Sequence, residues 1–445
     1  LSRKFIRMKI LTADHVLPVT SEPINNGAVV VDGSSILDVG PVEALASRFP
    51  DAEQMSFGAA AILPGFVNCH SHLELTALRG ALDDVEHDFR SWLLKLNALR
   101  AEMSDENIAE AAYHGAVEGA AAGVTCFGDI GRFGGAGLDA LKRTGLRGIV
   151  FQETEFSPDD RTAADDFPAL IEKFQKLTEG MTELVRVGIS PHAPYTVSSS
   201  LFEMIAQAAS LDRIPITIHA AESAQETELM TTGNGFFTEI YDRFDVEWNS
   251  PRCTSIEYLE RLGVLAARPL LAHCVEVSDS DIDRIASNGA RIAHCPKSNA
   301  KFGHGYAPFE RFLDSVIKVG LGSDSVASNN ACDLVEEGRF AALAARNRHG
   351  SERFISPREI IRAMTLGGAE ALGLDTGIGS LEPGKEADIA VISLDHPAQS
   401  PVNDVESTIV FSSNARDVAM TLVAGKPVYE RSGYLVKTSS SSDRK

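Results

Sequence analysis

Long hydrophobic runs are missing from this chain: no segment approaches the ~18 consecutive apolar side chains that a membrane-crossing helix needs. An excess of positive charge is missing too. Lys and Arg number 41 against 62 Asp and Glu, a formal charge of −21. A surface of that sign repels phosphate backbones and anionic lipid headgroups, so neither a nucleic acid nor a membrane is an expected partner. Cysteine is sparse. Cys69, Cys126, Cys253, Cys274, Cys295 and Cys332 are scattered with no CxxC pair, which argues against a disulfide framework or a zinc ribbon and for reduced, buried thiols in a cytoplasmic protein. The opening LSRKFIRMKILTADHV has basic residues with no sustained apolar run behind them, so no secretion signal is expected there.

What is present is a chain of 445 residues, long enough for one large barrel with an appendage or for two to three smaller domains. Residues 1–64 read as short β-branched runs separated by turns, interrupted by one helix at PVEALASRF. From Gly65 to about Asp375 the text changes to apolar runs alternating with helical segments. Eight such runs stand out: GFVNCHSH, GVTCFGDI, GIVFQETE, VRVGISPH, PITIHAAE, PLLAHCVE, ARIAHCPK and VIKVGLGSD. Strand–helix alternation of this length predicts a parallel sheet, and eight units fit an α/β fold of the (β/α)8 TIM-barrel type over 65–375. Residues 376–437 return to β-like text, including STIVFSS and AMTLVAGKPVYE. The two terminal segments are expected to pair into one small composite β-sandwich domain, with 438–445 as a disordered tail.

Several predicted strands end in a residue able to ligate a metal or move a proton. Strand 1 ends in His70-Ser71-His72, strand 4 is followed by His192, strand 5 ends in His219 with Glu222 three residues on, strand 6 ends in His273, and strand 8 ends in Asp324. Residues i and i+2 of a strand share a face, so His70 and His72 can point the same way. Barrel closure would set strand 8, and Asp324 with it, beside strand 1. A lone strand histidine is more often a satisfied core residue; an ordered set at strand ends is the pattern of a catalytic metal site at the barrel mouth. Three imidazoles and a carboxylate leave coordination positions open, as Zn²⁺ or Fe²⁺ catalysis requires.

The segments PGFVNCHSH, IHAAE, LAHC, HCPKSN and GLGSDS, with PGKEADIAVI near the end, resemble the amidohydrolase superfamily in its deaminase and chlorohydrolase branch. SPHAPYTVS, and LRG with Trp92 beyond it, resemble members that deaminate adenosine-type nucleosides. HSHLE, SNAKFG and DSVASN resemble aminofutalosine deaminases. The resemblance implies His70, His72, His219 and Asp324 as metal ligands. It further implies Glu222 as general acid/base, His273 as the residue orienting water or substrate, and His192 as a substrate contact. Strand 4 has neither a Lys nor a Glu to bridge two metals, so one divalent metal per chain is expected, Zn before Fe. The implied activity is hydrolytic deamination of an amino-substituted nitrogen heterocycle of nucleoside type. Dechlorination or amide hydrolysis on the same scaffold is the alternative within enzymes; a catalytically inactive binding protein is the alternative outside them. Residues 225–265 form an unusually long connection, read as a lid or a dimer element, and a homodimer is expected.

Four further residues have two readings each. Glu74 either binds a substrate amine or hydroxyl or pairs with Arg79. Trp92 either walls the pocket or packs an amphipathic helix. Ser298 and Asn299 either contact substrate or serve structure. His294, Cys69, Cys274 and Cys295 read as packing, and GDIGRFGGAG as a loop rather than a nucleotide cradle.

Overall fold

The computed structural model describes residues 8–432 and 437–439. Strands β1 (Lys9–Val16), β2 (Ile24–Asp32) and β3 (Ser35–Pro41) form an antiparallel meander. Asp32 and Ser35 pair across a two-residue turn in which Gly33 takes φ 61°, a left-handed conformation that suits glycine. The run Ala28–Val31 is apolar throughout because both faces of β2 are covered. Val29 and Val31 pack with Ile389 and Leu422, while Ala28 and Val30 pack on Leu45 of the helix Val42–Arg48.

Strands β4 (Glu53–Ser56) and β5 (Ala60–Pro64) both run parallel to β1. After the central region, the C-terminal strands return to this sheet. Here the eight predicted strands are β6 (Phe66–Ser71), β7 (Val124–Gly131), β8 (Arg147–Glu153), β9 (Val185–Ser190), β10 (Thr217–Ala220), β11 (Leu270–His273), β12 (Arg291–His294) and β13 (Val319–Leu321). Beyond them lie β14 (Ile389–Ser393), β15 (Val418–Val423), β16 (Lys426–Glu430) and β17 (Lys437–Ser439). β14 pairs antiparallel with β5, so strands from both ends of the chain share one nine-stranded sheet.

Three expectations are corrected. The terminal strands, expected as a sandwich of separate sheets, are joined by hydrogen bonds. They form a single sheet, because β1 pairs along one edge with β4 through Lys9–Thr12 and with β5 through His15 and Val16. STIVFSS is not a strand but part of the helix Val405–Ser412. Its β-branched composition misleads, since the Asp404 side chain caps the first turn and Val405, Thr408 and Ile409 bury one helical face. Thr438 and Ser439, assigned to the tail, pair in β17 with Met55 and Gln54 of β4; residues 440–445 lie outside the described ones.

The central region has an α/β fold with two four-stranded parallel sheets, β6-β7-β8-β9 and β10-β11-β12-β13. Helices connect successive strands. Single parallel bridges join the sheets at both edges, Ile189 to Ile216 and Ser71 to Asp324. Val67, Cys126, Ile149, Phe151, Leu270 and Ala293 form a buried cluster completed by Ala369 and Leu372 of the helix Leu366–Leu372. A larger cluster lies between the strands and their helices and includes Phe127, Val150, Ile218, Ile292 and Phe309. These two layers fix the C-terminal strand ends, several of which carry polar residues to one cavity. No helix among the described residues is long and apolar enough to cross a membrane.

Candidate metal centre and catalytic pocket

A cavity of about 730 Å³ opens at these strand ends, a volume typical of small-molecule sites. His72, His192, His219, Glu222, His273 and Asp324 line its floor. Phe89, Trp92, Phe237 and Phe302 give it an aromatic wall, and Phe156, Arg132, Arg243 and Phe244 stand near them in the lining. Phe237, Arg243 and Phe244 belong to 225–265, which folds as the helices Ala224–Thr232, Phe236–Arg243 and Ser255–Arg261 with their connections.

Backbone geometry at the floor is unusual. His273, Cys274 and Asp324 have φ of 72°, 49° and 56°, and Ala221 has 52°. Non-glycine residues in the left-handed region cost energy and persist where the surroundings hold them, which is common at active sites. Those surroundings are visible. The buried Glu226 carboxylate accepts from the backbone N–H of Ala221 (2.8 Å) and Glu222 (2.9 Å), fixing the turn after β10. The Asp324 N–H donates to the His70 carbonyl at 2.9 Å, tying the turn after β13 to β6.

The side chains converge. His70 Nε2 lies 3.2 Å and His72 Nε2 3.6 Å from Asp324 Oδ1, and His72 Nε2 lies 3.2 Å from His219 Nε2. Ligand-capable atoms of His70, His72 and His219 fall within 4.8 Å of one another, as do those of His70, His273 and Asp324. His219 Nδ1 donates to the His192 carbonyl at 2.9 Å, which leaves its Nε2 as a free lone pair. Asp324 Oδ2 accepts from Ser298 Oγ (2.6 Å) and Ser328 Oγ (2.8 Å), leaving Oδ1 toward the imidazoles.

Electrostatics favour the ligand forms of these groups. Burial pushes His70 down to about 4, against the pull of Asp324, and pushes His72 well below the ordinary histidine range, with His70 adding to the effect. Burial would raise Asp324, but the close approach of His70 to its Oδ1, and then His273 and His72, hold it well below the usual carboxylate range. The result is neutral imidazoles around an ionised carboxylate. Neither ring nitrogen of His70 has a hydrogen-bond partner, a costly state for a buried polar group that a divalent cation would relieve. The donor set therefore fits a divalent metal.

Glu222 stands beside this cluster with Oε1 3.8 Å from His273 Nε2. Burial pushes its carboxyl up to about 7, with His219 pulling down and Asp324 pushing up. His273 Nδ1 donates to Asn299 Oδ1 at 2.9 Å, so its Nε2 faces Glu222. His192 is held neutral, chiefly by burial and then by His219, and its Nδ1 meets Thr196 Oγ1 at 2.8 Å.

The structure places each of the four residues that had two readings. Glu74 is 3% exposed and lies behind the cavity, bound by the Arg100 guanidinium and by the N–H groups of Arg132 and Phe133. Arg79 pairs instead with Glu118. Trp92 is buried among Phe89 and Phe302 and lines the cavity. Ser298 and Asn299 do not line the cavity; they hold Asp324 and His273 from behind. Glu153 was missed. It ends β8 and lines the cavity, with Oε1 4.0 Å from His192 Nε2 and Oε2 3.8 Å from Arg100 Nη1. The strand-end rule applied to GIVFQETE would have found it.

The amidohydrolase family model matches residues 61–428, well over half of the chain. The chain belongs to the amidohydrolase family. A model of the imidazolonepropionase-like composite domain of bacteria matches residues 27–52. Among curated relatives of this amidohydrolase, a 5-methylthioadenosine/S-adenosylhomocysteine deaminase of Thermodesulfovibrio yellowstonii is 31% identical over 94% of this chain and 92% of its own. An adenosine deaminase from Xanthomonas campestris, solved with bound zinc, is 27% identical with a TM-score of 0.82, covering 94% of this chain and 92% of its own. An atrazine chlorohydrolase from Arthrobacter aurescens TC1, complexed with zinc, shares the fold at 24% identity with a TM-score of 0.81, covering 95% of each chain.

Proposed function

We propose that this amidohydrolase is a metal-dependent hydrolytic deaminase of an amino-substituted nitrogen heterocycle bearing a ribose-like group. One divalent cation, Zn before Fe, would be held by His70, His72, His219 and Asp324. Bound there, it supplies a Lewis acid that brings the pKa of a water toward neutrality. The observation that carries the reading is the place of Glu222, whose buried carboxyl lines the cavity with Oε1 3.8 Å from His273 Nε2. A carboxyl poised near neutrality can take a proton from water and give it to a neighbouring base.

In this reading Asp324 and His273 orient the attacking water at the ring carbon that bears the exocyclic amine. Glu222 accepts the water's proton and passes it to the adjacent ring nitrogen, so negative charge does not build up on the ring. The hydroxyl of the tetrahedral adduct then gives its remaining proton to the exocyclic amine, the carbon–oxygen double bond forms as the carbon–amine bond breaks, and neutral ammonia leaves. His192 meets the substrate, Trp92 and its aromatic neighbours stack the ring, and the segment 225–265 gives the pocket a wall beyond the size of a bare base. The site belongs in this view to a closed (β/α)8 barrel over 65–375. The bridges at Ile189–Ile216 and Ser71–Asp324 support closure at both seams, with 1–64 and 376–437 forming a composite domain beside it.

Two expected outcomes test the proposal. Elemental analysis of loaded protein should give about one divalent metal per chain, because β9 carries no bridging Lys or Glu; two tightly bound metals would refute the mononuclear assignment. Among 5-methylthioadenosine, adenosine, adenine and a chlorinated triazine, kcat/KM should be highest for a nucleoside. A preference for adenine of tenfold or more, about 1.4 kcal/mol of transition-state binding, would remove the ribose. A preference for the triazine would replace deamination with dechlorination, a reaction whose better leaving group depends less on Glu222.

A further inference from the structure

Glu153 lines the cavity but belongs neither to the metal ligands nor to the proton path. It is the last residue of β8 and is 4% exposed. Arg100 Nη1 stands 3.8 Å from its Oε2, and His192 Nε2 stands 4.0 Å from its Oε1. Both gaps exceed a hydrogen bond, so among the described residues nothing donates to either oxygen. The permanent charge of Arg100 still counters that of Glu153 across the gap. Glu74 shares the same guanidinium and is the opposite case. It also accepts from the N–H groups of Arg132 (3.3 Å) and Phe133 (3.0 Å), and it stays out of the cavity lining. A buried carboxylate without donors is costly; one that borders a cavity is satisfied by what enters it.

Strand order sets where that carboxylate stands. β9, which His192 follows, pairs with β8 on one side and meets the β10 edge through the Ile189–Ile216 bridge on the other. The His192 ring is 4.7 Å from the His219 ring, centroid to centroid, and its Nε2 faces Glu153. Outward from the metal cluster the order is therefore His219, His192, Glu153. A heterocycle with its amine-bearing carbon at the cluster and an edge at His192 carries its substituent toward Glu153. We infer that Glu153 is the specificity-determining residue for that substituent, its two oxygens accepting from the vicinal hydroxyls of a ribose. The inference rests on the reading of the protein as a nucleoside deaminase and names the residue that would read the sugar. A carboxylate is acceptor-only with two adjacent oxygens, and a vicinal diol offers two adjacent donors. An ammonium group fits less well, because Arg100, Arg132 and Arg243 all line the same cavity and would repel it.

The test measures kcat/KM of zinc-loaded protein for adenosine, 2′-deoxyadenosine and 3′-deoxyadenosine. Wild type should favour adenosine over at least one deoxy form by roughly 10–100-fold, the worth of a hydrogen bond to a charged acceptor. Glu153→Leu, which fills the space without an acceptor, should bring that ratio to within about threefold by lowering the adenosine value. Glu153→Gln, which keeps one acceptor oxygen, should leave an intermediate ratio. A readout without turnover is calorimetric binding of inosine and of its 2′-deoxy and 3′-deoxy forms, which should show the same preference in wild type and the same loss of it in Glu153→Leu. Equal rates for all three adenosines in wild type, or a full preference persisting in either Glu153 variant, would overturn the inference, and the wild-type comparison holds whether or not a variant folds. Faster turnover of 3′-amino-3′-deoxyadenosine than of adenosine would overturn it in favour of an ammonium. If wild type deaminates neither adenosine nor 5-methylthioadenosine, the nucleoside-deaminase reading fails instead, and the role of Glu153 fails with it.

Discussion

Replacing Glu222 with Gln should leave the metal content unchanged and lower kcat by roughly 10²–10⁴-fold, the usual worth of general acid–base assistance. Gln keeps the size and reach of the side chain but cannot carry a proton, and the contacts at the metal cluster, His72 with His219 and His70 with Asp324, do not involve it. KM should move little, since the side chain works on the reacting atoms rather than on the rest of the substrate. The pH profile gives a second signature. Burial raises Glu222 to about 7, and the ionised form is the one that accepts the water's proton, so kcat/KM should rise with pH through this ionisation. A cation beside the carboxylate favours its ionised form and sets the limb at or below that value. The limb should be absent in the Gln variant. Full turnover with metal verified, or an unchanged limb, would take Glu222 out of the chemistry.

Asp388→Ala should cost about 3–5 kcal/mol of stability, the range for breaking a buried ion pair by removing one partner. Asp388 is 3% exposed overall and joins three parts of the fold. Its Oδ2 accepts from Arg147 Nε at 2.7 Å, and its Oδ1 accepts from Arg147 Nη2 at 3.2 Å and from the Ala424 N–H at 2.8 Å. Arg147 opens β8, Asp388 precedes β14, and Ala424 lies in the turn between β15 and β16. Removing the carboxylate strands a largely buried guanidinium whose remaining acid, Glu386, is 3.6 Å away and partly exposed. The double variant Arg147→Met/Asp388→Ala should be less damaged than Asp388→Ala alone, because the unpaired charge is gone. Urea unfolding measures both. A loss under about 1 kcal/mol in Asp388→Ala would mean that water reaches the guanidinium and the pair does not anchor the terminal sheet to the parallel one.

The sequence by itself carried the strand pattern of the central region and the imidazoles and carboxylate that cluster at the cavity. His70, His72, His219, His273 and Asp324 all sit at strand ends, and strand direction plus the two-residue side-chain period are local properties that fix where such residues lie. Glu153 was equally local and equally legible at the end of β8. What only the tertiary structure decided concerns residues in turns and helices. Ser298 and Asn299 follow β12 in a short helix whose rotational phase is set by packing, and that phase turns them behind Asp324 and His273 instead of into the cavity. Glu74 is adjacent to the HSH motif, yet its partner is Arg100, 26 residues away on the helix Phe89–Glu102; no spacing rule reaches that far. STIVFSS has strand composition and became helix because the Asp404 cap and a buried face outweigh weak local propensity. The terminal strands likewise merged into one sheet through the shared edge of β1. Pairing partners and side-chain direction outside strands are long-range outcomes.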